Sequence, residues 1–543
     1  MMKKWVSLFL SVLMALSLVG CSERPQSGDE SNAEKYGERS KEITLCYYEG
    51  GYGSEWLAAV VDDYMMNVNK DLYIHLKSST DNATAREKIT GKTGTYDLYY
   101  IEVDMFDKQD ALEDLTDVLE MEVPGEAGVK VKDKIDAQWL DYYEEDGKWY
   151  QLPATNFMGW NWTYNKTLLD ETLGDGNYKL PNTTDEFFAL GEELFNKNVF
   201  LTTFAGNDTT GGADYLRYCY EIWFAQMTGM EGYAHYFNCE YNNNGTYEVA
   251  KAYPENIVQN KLAIEETYKV AERLCQGDGD VEYVHTKCES LSFLDAQFLL
   301  YQGTFKGAKE FPVAFYYNSA SGEREMEPYV SDGIVKDQDI RMMKMPVISS
   351  ITNRTPSIND DATLSAVVDY VDGTTTAAPA GVTEEDIAIV AEARNMKAEL
   401  VCREFVITEG AKNKEDIKDF LAYLVSDQAQ KVAAKECNGL PILNYGYVPT
   451  EEDMGFEFTT YVESAQKVFA DSVIVDIAKF DKPLGKFVGM NWYQDTTTSG
   501  GTLCTNLYTE QALSSEEIYQ STLDSFATTW KDRVEQYYVQ NGQ

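Results

Sequence analysis

Residues 41–103 alternate strand patterns with helix patterns, and this order constrains the fold more than any other feature of the chain. The β-formers of ITLCYY precede a glycine-rich loop, and LYIHLKSS and YDLYYIEV predict two further strands. Ser54 is placed as a helix N-cap. One helix face follows it, formed by Leu57, Val60, Val61, Tyr64, Met65 and Val68. Because strand–helix–strand order implies parallel pairing, the sequence predicts an α/β fold.

The later sequence carries the same kinds of signal, without an internal repeat. FMGWNWTYNKTLLDE predicts a strand that runs into a helix, and the pairs Thr183/Glu186 and Ser514/Glu517 predict capping boxes at two helix starts. TEEDIAIVAEARNMKAEL and NKEDIKDFLAYLVSDQAQKVA each predict one helix, and CREFVITEGA predicts a strand between them. These elements extend the alternation over nearly the whole chain.

Length and charge narrow the function classes. A chain of 543 residues predicts roughly two to four domains. Its 46 Lys and Arg against 90 Asp and Glu give a net charge of −44, which argues against nucleic acid as a partner and against docking of the folded body on anionic lipid. The charge has two interpretations: solubility, or attraction of a cationic ligand.

The first 21 residues have the order of an export signal. Lys3 and Lys4 precede a mostly apolar segment, residues 5–20, that is shorter than the ~20 residues a membrane-spanning helix needs. The segment ends in LSLVGC, which resembles the lipobox of bacterial lipoproteins. We therefore expect residues 1–20 to be a signal peptide, Cys21 to be the lipidated first residue of the mature chain, and residues 21–40 to be a flexible tether. The alternative is a buried apolar helix.

Cysteine and histidine spacing predicts neither a zinc site nor a redox motif. The nine cysteines form no CxxC, and the three histidines are scattered. His235/Cys239 and His285/Cys288 are close in sequence, but chance explains such spacing better than a metal does. The eight cysteines after Cys21 are left open between disulfides of an exported protein and small buried residues.

Several motifs, taken in order, carry a family resemblance. The lipobox and tether come first, then the strand, glycine-rich loop and helix. DGKWYQLPATNFMGWNWTYNKTLLDE, LPNTTDEFFALGEELF and FVITEGAKNKEDIKDFLAYLVSDQAQKVAAKECNGLP follow. Together they resemble the family 1 extracellular solute-binding proteins, the sugar receptors of ABC importers. The resemblance covers nearly all of the chain after Cys21, although residues 351–399 match no common part.

The resemblance implies a two-lobed α/β fold of the periplasmic-binding-protein type, with crossing hinge segments and a ligand cleft between the lobes. Residues 41–157 and about 400–430 are expected to form the first lobe, and residues 158–350 and about 431–543 the second, with residues 351–399 unplaced. It further implies a monomer on the outer face of the cytoplasmic membrane, without a cofactor, that passes a carbohydrate to ABC transporter permease subunits.

Other functions are weighed against this one. A lipid-anchored surface glycan-binding or sensor-linked receptor would have the same anchor and the same cleft. A glycoside hydrolase needs only two carboxylates, which are plentiful, but no GxSxG, HExxH or GxxxxGK[ST] motif is present. A peptide or a polyamine is kept as an alternative ligand, because an acidic chain would suit a cation.

A sugar site needs aromatic platforms for ring faces and polar groups for hydroxyls. Residues of these types with polar neighbours in loop-like places are the predicted ligand contacts: Tyr52, Glu55, Trp160, Asn207, Asp208, Trp223, Tyr316, Tyr317 and Trp492. Each aromatic residue has a competing role in core packing. That role is strongest for Trp223, which lies in a helical pattern.

The glycine-rich loop YYEGGYGSEW raises the question of a phosphate site. It lacks the Lys-Ser/Thr of a P-loop, and its spacing is not GxGxxG. Glycines here allow a sharp strand-to-helix turn and close approach of a ligand. We therefore expect Tyr52 and Glu55 to form one wall of a sugar cleft.

Overall fold

One long strand, β6 (Leu152–Asn165), belongs to both halves of the molecule. In this computed structural model its first part pairs with β11 (Met396–Ile407), and its last residues pair with β9 (Phe315–Asn318) and β10 (Ile340–Met343), always antiparallel. β11 crosses in the other direction, since its end pairs with β3 (Leu98–Ile101) and its start with β12 (Val473–Asp476). Two crossing strands therefore connect two α/β lobes, as predicted.

The structure describes residues 36–48, 51–79, 82–101, 109–207, 215–302, 311–443, 445–470, 472–476, 483–493, 503–509 and 513–540, without the side chains of residues 138, 155–158, 399–402, 476, 483 and 486. The predicted lipidation site Cys21 and the predicted ligand contact Asp208 lie outside these residues. Of the helices described, none is long and apolar enough to cross a bilayer.

The first lobe is built as its periodicity predicts. β1 (Lys41–Tyr47) lies between β2 (Leu72–Ser78) and β3 and is parallel to both. α1 (Glu55–Asp63) covers one face of this sheet, where Trp56 and Val60 pack with Leu45. α2 (Asn82–Gly91) covers the other face, where Ile89 packs with Cys46. Helices on both faces bury a parallel sheet completely.

Two short hairpins complete the strands: β4 (Glu144–Glu145) with β5 (Lys148–Trp149), and β7 (Glu240–Asn243) with β8 (Thr246–Val249). The remaining helices of the first half are α3 (Thr116–Leu119), α4 (Ala137–Tyr143), α5 (Lys166–Leu173), α6 (Thr184–Phe195), α7 (Leu216–Phe237), α8 (Glu255–Gln259), α9 (Lys261–Gln276), α10 (Phe293–Leu300) and α11 (Gly322–Ser331). Those of the second half are α12 (Asp361–Val371), α13 (Glu384–Asn395), α14 (Lys414–Leu424), α15 (Asp427–Glu436), α16 (Glu451–Met454), α17 (Thr460–Phe469), α18 (Pro483–Val488), α19 (Leu503–Thr509), α20 (Ser515–Ala527) and α21 (Trp530–Gln540).

Helix boundaries show where local patterns were insufficient. The single helix predicted over residues 413–433 is wrong: it is broken between α14 and α15, where Ser426 accepts a hydrogen bond from the Ala429 amide and caps the second helix. The helix predicted to residue 400 ends at Asn395, because Met396 begins the pairing of β11 with β12. Tertiary pairing overrides helix propensity there. The Ser514/Glu517 capping box is confirmed.

The core packing refines the expected lobe boundaries, which stay a prediction. α15 packs on α1, and Tyr445 donates to the Pro153 carbonyl oxygen at 2.5 Å, so we propose that the first lobe extends to about residue 445. Residues 351–399 contain α12 and α13, whose buried Val367 and Val390 join the core of the second lobe. We propose that this segment is part of that lobe. The seven cysteines whose side chains are described are buried and form no disulfide with one another.

Candidate ligand-binding site

The carboxyl ends of the parallel strands mark one crevice in the first lobe. β1 leads through α1 to β2 on one side, while β3 lies on its other side, so the topology switches between β1 and β3. Ligands of open α/β sheets bind at such a switch point. Tyr48, directly after β1, donates its amide to the carbonyl oxygen of Tyr100 on β3 at 3.1 Å, which brings the two strand ends together.

The second lobe has a matching edge. Residues 200–202 run parallel to residues 313–315, with the Phe315 amide bonded to the Leu201 carbonyl oxygen at 2.9 Å. Both segments end at the same edge, one near Asn207 and the other at Ser319 and Ser321. Asn207 is exposed, and its amide donates to the Leu291 carbonyl oxygen at 3.1 Å. We use the name seam for the surface between this edge and the glycine-rich loop of the first lobe. On one side it includes Asn207, Ser319, Ser321, Arg324 and Glu325, and on the other residues 51–55.

Direct contact at the seam involves the glycine-rich loop. A Cβ atom added to Gly51 would lie 2.8 Å from Ser321 Oγ and would also collide with Glu325 Oε1. Glu325, on α11, accepts hydrogen bonds from Gln297 Nε2 at 2.7 Å and from Ser321 Oγ at 3.0 Å. Burial raises the pKa of its carboxyl group. The two lobes are therefore closed on each other at this point.

An aromatic group, formed by Trp160, Tyr215, Tyr218 and Tyr316, lies at the junction of the two cores. The Tyr215 ring is 4.1 Å from Trp160, 6.2 Å from Tyr218 and 6.4 Å from Tyr316, centroid to centroid. Tyr215 packs against the core of each lobe and is partly exposed. Trp160 is 5% exposed, and its Nε1–H has no acceptor among the described residues.

A buried arginine lies beside the switch point. Arg403, on β11, is 5% exposed, and its guanidinium carbon lies 5.0 Å from the ring centre of Tyr48 and 5.6 Å from that of Tyr100. Its neighbour Glu404 accepts a hydrogen bond from the Tyr143 hydroxyl at 2.7 Å. A planar cation held between aromatic rings adds a donor to this edge.

Five predicted contacts lie at or near the seam, and one of them, Asn207, is already described on its second-lobe edge. Tyr52 is buried in the same cluster as Tyr316. Glu55 Oε2 accepts the Ser54 amide at 3.1 Å and lies 4.0 Å from Arg324 Nη2 across the seam. Trp160 and Tyr316 belong to the aromatic group. Ser54 occupies the N-cap position without a side-chain capping bond, so its predicted role is only positional.

Three predicted contacts are core residues instead. Trp223 is fully buried on α7 and donates Nε1–H to the Pro346 carbonyl oxygen at 3.1 Å. Trp492 stacks on Phe224 within the same core, and the Tyr317 hydroxyl donates to the Trp160 carbonyl oxygen at 3.0 Å. None of the three offers a face to a ligand. Their role is packing, because each of the three side chains is at most 1% exposed.

Tyr215, Tyr48 and Arg403 were missed by the sequence analysis. Tyr215 follows the glycine-containing run TTGGAD and starts a helix, which is the same signal that singled out Tyr52. Arg403 carries no such signal. A cavity of about 1300 Å³ along β1 and β2 includes none of the seam residues. We place the site at the seam because the strand ends of both lobes meet there.

Comparison with solved structures identifies this architecture. A chitin oligosaccharide binding protein shares 14% identity at a TM-score of 0.51, covering 89% of this chain and 97% of its own. RafE in complex with raffinose shares 13% at 0.51 (91% and 100%), and a probable secreted solute-binding lipoprotein from Streptomyces coelicolor shares 13% at 0.52 (89% and 98%).

No protein-family model and no curated protein sequence matches the chain. The structural likeness nevertheless spans about nine-tenths of the chain. The chain therefore has the two-lobed fold of the family 1 extracellular solute-binding proteins, the family that its sequence motifs resemble.

Proposed function

We propose that the mature chain is an extracellular receptor that captures a carbohydrate, specifically an oligosaccharide, in the seam between its lobes. The aromatic group carries this proposal, because its rings lie where both cores meet and Trp160 Nε1–H lacks an acceptor among the described residues. Aromatic faces suit the apolar faces of sugar rings, and the neighbouring Ser319, Ser321 and Asn207 suit hydroxyl groups. Proteins of the same fold that bind chitin oligosaccharide or raffinose support this choice of ligand.

Ligand capture is coupled to lobe closure in this proposal. Closure brings Gly51 against Ser321 and Glu325, so contacts from both lobes form together. A sugar that touches both lobes stabilises the closed form over the open one. The closed complex then docks on ABC transporter permease subunits, and the chain itself needs no nucleotide site or catalytic group.

We place the protein on the outer face of the cytoplasmic membrane, attached through lipid on Cys21 and acting as a monomer. Labelling with a radioactive fatty acid tests the anchor, since Cys21→Ser is expected to abolish incorporation and to release the protein into the medium. A Cys21→Ser protein that stays labelled and membrane-bound would contradict this part of the proposal.

The ligand is tested by calorimetry on residues 22–543. Chitin oligosaccharides, raffinose, malto-oligosaccharides and short peptides are titrated in turn. We expect one saccharide class to bind and Tyr215→Ala to weaken it by about tenfold or more. Tyr253→Ala, an exposed residue of the second lobe that lies outside the seam, is the matched control. Binding of peptides alone, or equal affinities in both variants, would reject the proposed site; hydrolysis of the saccharide would favour an enzyme.

A further inference from the structure

A second cavity, of about 210 Å³, lies between α11 and the start of α17. We call it the acidic cavity. Its polar lining includes Tyr301, Glu323, Glu327, Asp337 and Thr459, and its apolar lining includes Val330 and Ile340. Among the described residues that line it there is no lysine, arginine or histidine, and three carboxylates face the cavity.

Glu323 is the carboxylate least compensated by its surroundings. Thr459 Oγ1 donates to it at 3.0 Å, and no cationic side chain of the described residues forms an ion pair with it. Burial raises the pKa of its carboxyl group to about 7, the Thr459 hydrogen bond acts against this, and Glu327 adds to it. Glu327 itself is exposed and bonds Arg324 at 3.3 Å.

Tyr301 is an independent sign of a ligand site. Its side chain is only 6% exposed and lines the acidic cavity, and its hydroxyl makes no hydrogen bond to any residue that the structure describes. The hydroxyl is therefore accessible from the cavity and available to a molecule that enters it. The hydroxyl oxygen can accept a hydrogen bond from a bound cation.

The lining chemistry selects the kind of cation. Among the described residues, no group of three or more His, Cys, Asp or Glu side chains is arranged to hold a metal ion. An alkylammonium ion instead combines three N–H donors with an apolar stem, which Val330 and Ile340 can contact. At about 30 Å³ per water-sized unit, the cavity has room for roughly seven such units, the size of a four- or five-carbon amine.

We propose that the acidic cavity binds a small alkylammonium ion, with Glu323 as its charge partner, the Tyr301 hydroxyl as an acceptor, and Val330 and Ile340 against its stem. This site shares no residue with the seam. It therefore adds a binding activity to that of the sugar site and does not depend on it.

Calorimetry with butylammonium tests the proposal on residues 22–543, with 1-butanol as the neutral isostere. We expect butylammonium to bind and butanol not to bind. Glu323→Gln should weaken butylammonium by about tenfold or more, because a charge-assisted hydrogen bond is lost, and Tyr301→Phe should weaken it less. Glu452→Gln, which removes an exposed carboxylate from α16, is the control for net charge and should change nothing.

The pH dependence separates a specific site from general attraction by a chain of charge −44. Groups near Glu323 are Arg324, Glu325 and Glu327 on its own helix, Tyr301 at the end of α10, Asp337 before β10, and Tyr461 on α17. Cation binding requires ionised Glu323, so affinity should rise about tenfold from pH 6 to pH 8 in the wild type and stay flat in Glu323→Gln.

Three results would overturn the proposal. The first is no heat at 10 mM butylammonium, on the order of the weakest affinity a specific site would show. The second is equal binding of butanol. The third is a Glu323→Gln protein with unchanged affinity. Circular dichroism on each variant keeps a folding defect distinct from a binding defect.

Discussion

Gly51 of the first lobe contacts Glu325 of the second lobe at a distance that a β-carbon would not permit. Glu325 is held in place by Gln297 and Ser321, so it cannot move aside without losing two hydrogen bonds. The backbone of Gly51 does not need the left-handed region, in contrast to Gly53, whose φ is +71°. Glycine is required at position 51 because the two lobes approach each other too closely there for a side chain, and not because of its backbone conformation.

Gly51→Ala is accordingly expected to oppose closure and to leave the fold of each lobe intact. Affinity for the saccharide should fall about tenfold or more, because the closed form carries the contacts of both lobes. Small-angle scattering should show a more open apo protein. Gly51→Ala combined with Glu325→Ala removes the clash with the carboxylate and leaves the one with Ser321 Oγ at 2.8 Å, so it should recover closure in part. A compact Gly51→Ala protein of unchanged affinity would mean that this contact does not report lobe closure.

The parallel order of β1, β2 and β3 was predictable from the sequence. Each strand and helix has its own hydrophobic period, and a helix between two strands implies that the strands are parallel. The crossing of β6 and β11 followed from the resemblance. The direction of the Arg403 side chain could not be predicted. β11 has register shifts on both sides of this residue, so strand alternation does not determine on which face of the sheet the side chain lies.

The burial of the tryptophans could not be predicted from the sequence either. Trp160 and Trp162 alternate on β6, as predicted, but only contacts distant in sequence separate the seam residue from the core residue: Tyr215 beside Trp160, and Phe187 and Tyr317 beside Trp162. Trp223 is a core residue because residues 345–348 and α13 cover α7, and these lie more than 120 residues along the chain.

Trp160 and Trp223 should respond oppositely to the same substitution. Trp223→Phe removes the hydrogen bond to Pro346 and leaves a void, so it should lower the free energy of unfolding by about 1–3 kcal/mol and leave saccharide affinity unchanged. Trp160→Phe also leaves a void but removes a donor that has no acceptor among the described residues, so it should cost less stability than Trp223→Phe while affinity falls. Urea unfolding and calorimetry on both variants measure the two effects. If Trp223→Phe lost saccharide affinity and Trp160→Phe did not, Trp223 would be a ligand contact after all.

Asp372 should stabilise the segment that the sequence left unplaced. Its carboxylate bonds Lys344 Nζ at 3.1 Å and Arg394 Nη2 at 2.8 Å, which joins the end of α12 to α13 and to the strand segment after β10. Burial acts to raise the pKa of its carboxyl group, but Arg394 and then Lys344 outweigh burial and lower it. Stability from this group is therefore present above the unfolded pKa and lost as pH falls through the folded one.

Asp372→Asn is expected to cost about 1–3 kcal/mol at pH 7, because Arg394 keeps a buried charge without its partner and the site is one-fifth exposed. The difference from wild type should begin to shrink below about pH 4, where the unfolded carboxyl group is protonated, and should keep shrinking as pH falls through the lower folded pKa. Urea midpoints at pH 7 and about pH 3 measure it. Asp280→Asn, at an exposed carboxylate in a turn, is the control and should have little effect. A constant difference at both pH values would mean that the ion pairs do not contribute.

Glu323 should give the opposite pH dependence. Its folded pKa, about 7, is raised above the unfolded value of about 4.3, so the folded state binds its proton more tightly. The stability that this group contributes is fully present below the unfolded pKa and is lost as pH rises through the folded pKa. Wild type should therefore lose at least about 1 kcal/mol between pH 4.5 and pH 8 relative to Glu323→Gln, which cannot ionise.

Urea midpoints of the two proteins across this range measure the difference, with Glu452→Gln as the exposed control. Butylammonium should remove the deficit at pH 8, because it supplies the missing counter-charge to the ionised carboxylate. The two proteins are expected to diverge progressively from about pH 4.5, near the unfolded pKa, and to differ most above about pH 7, the folded pKa. Parallel curves over the whole range would show that the Glu323 carboxylate is already compensated in the folded protein, and the acidic cavity would then offer no unpaired charge to a cation.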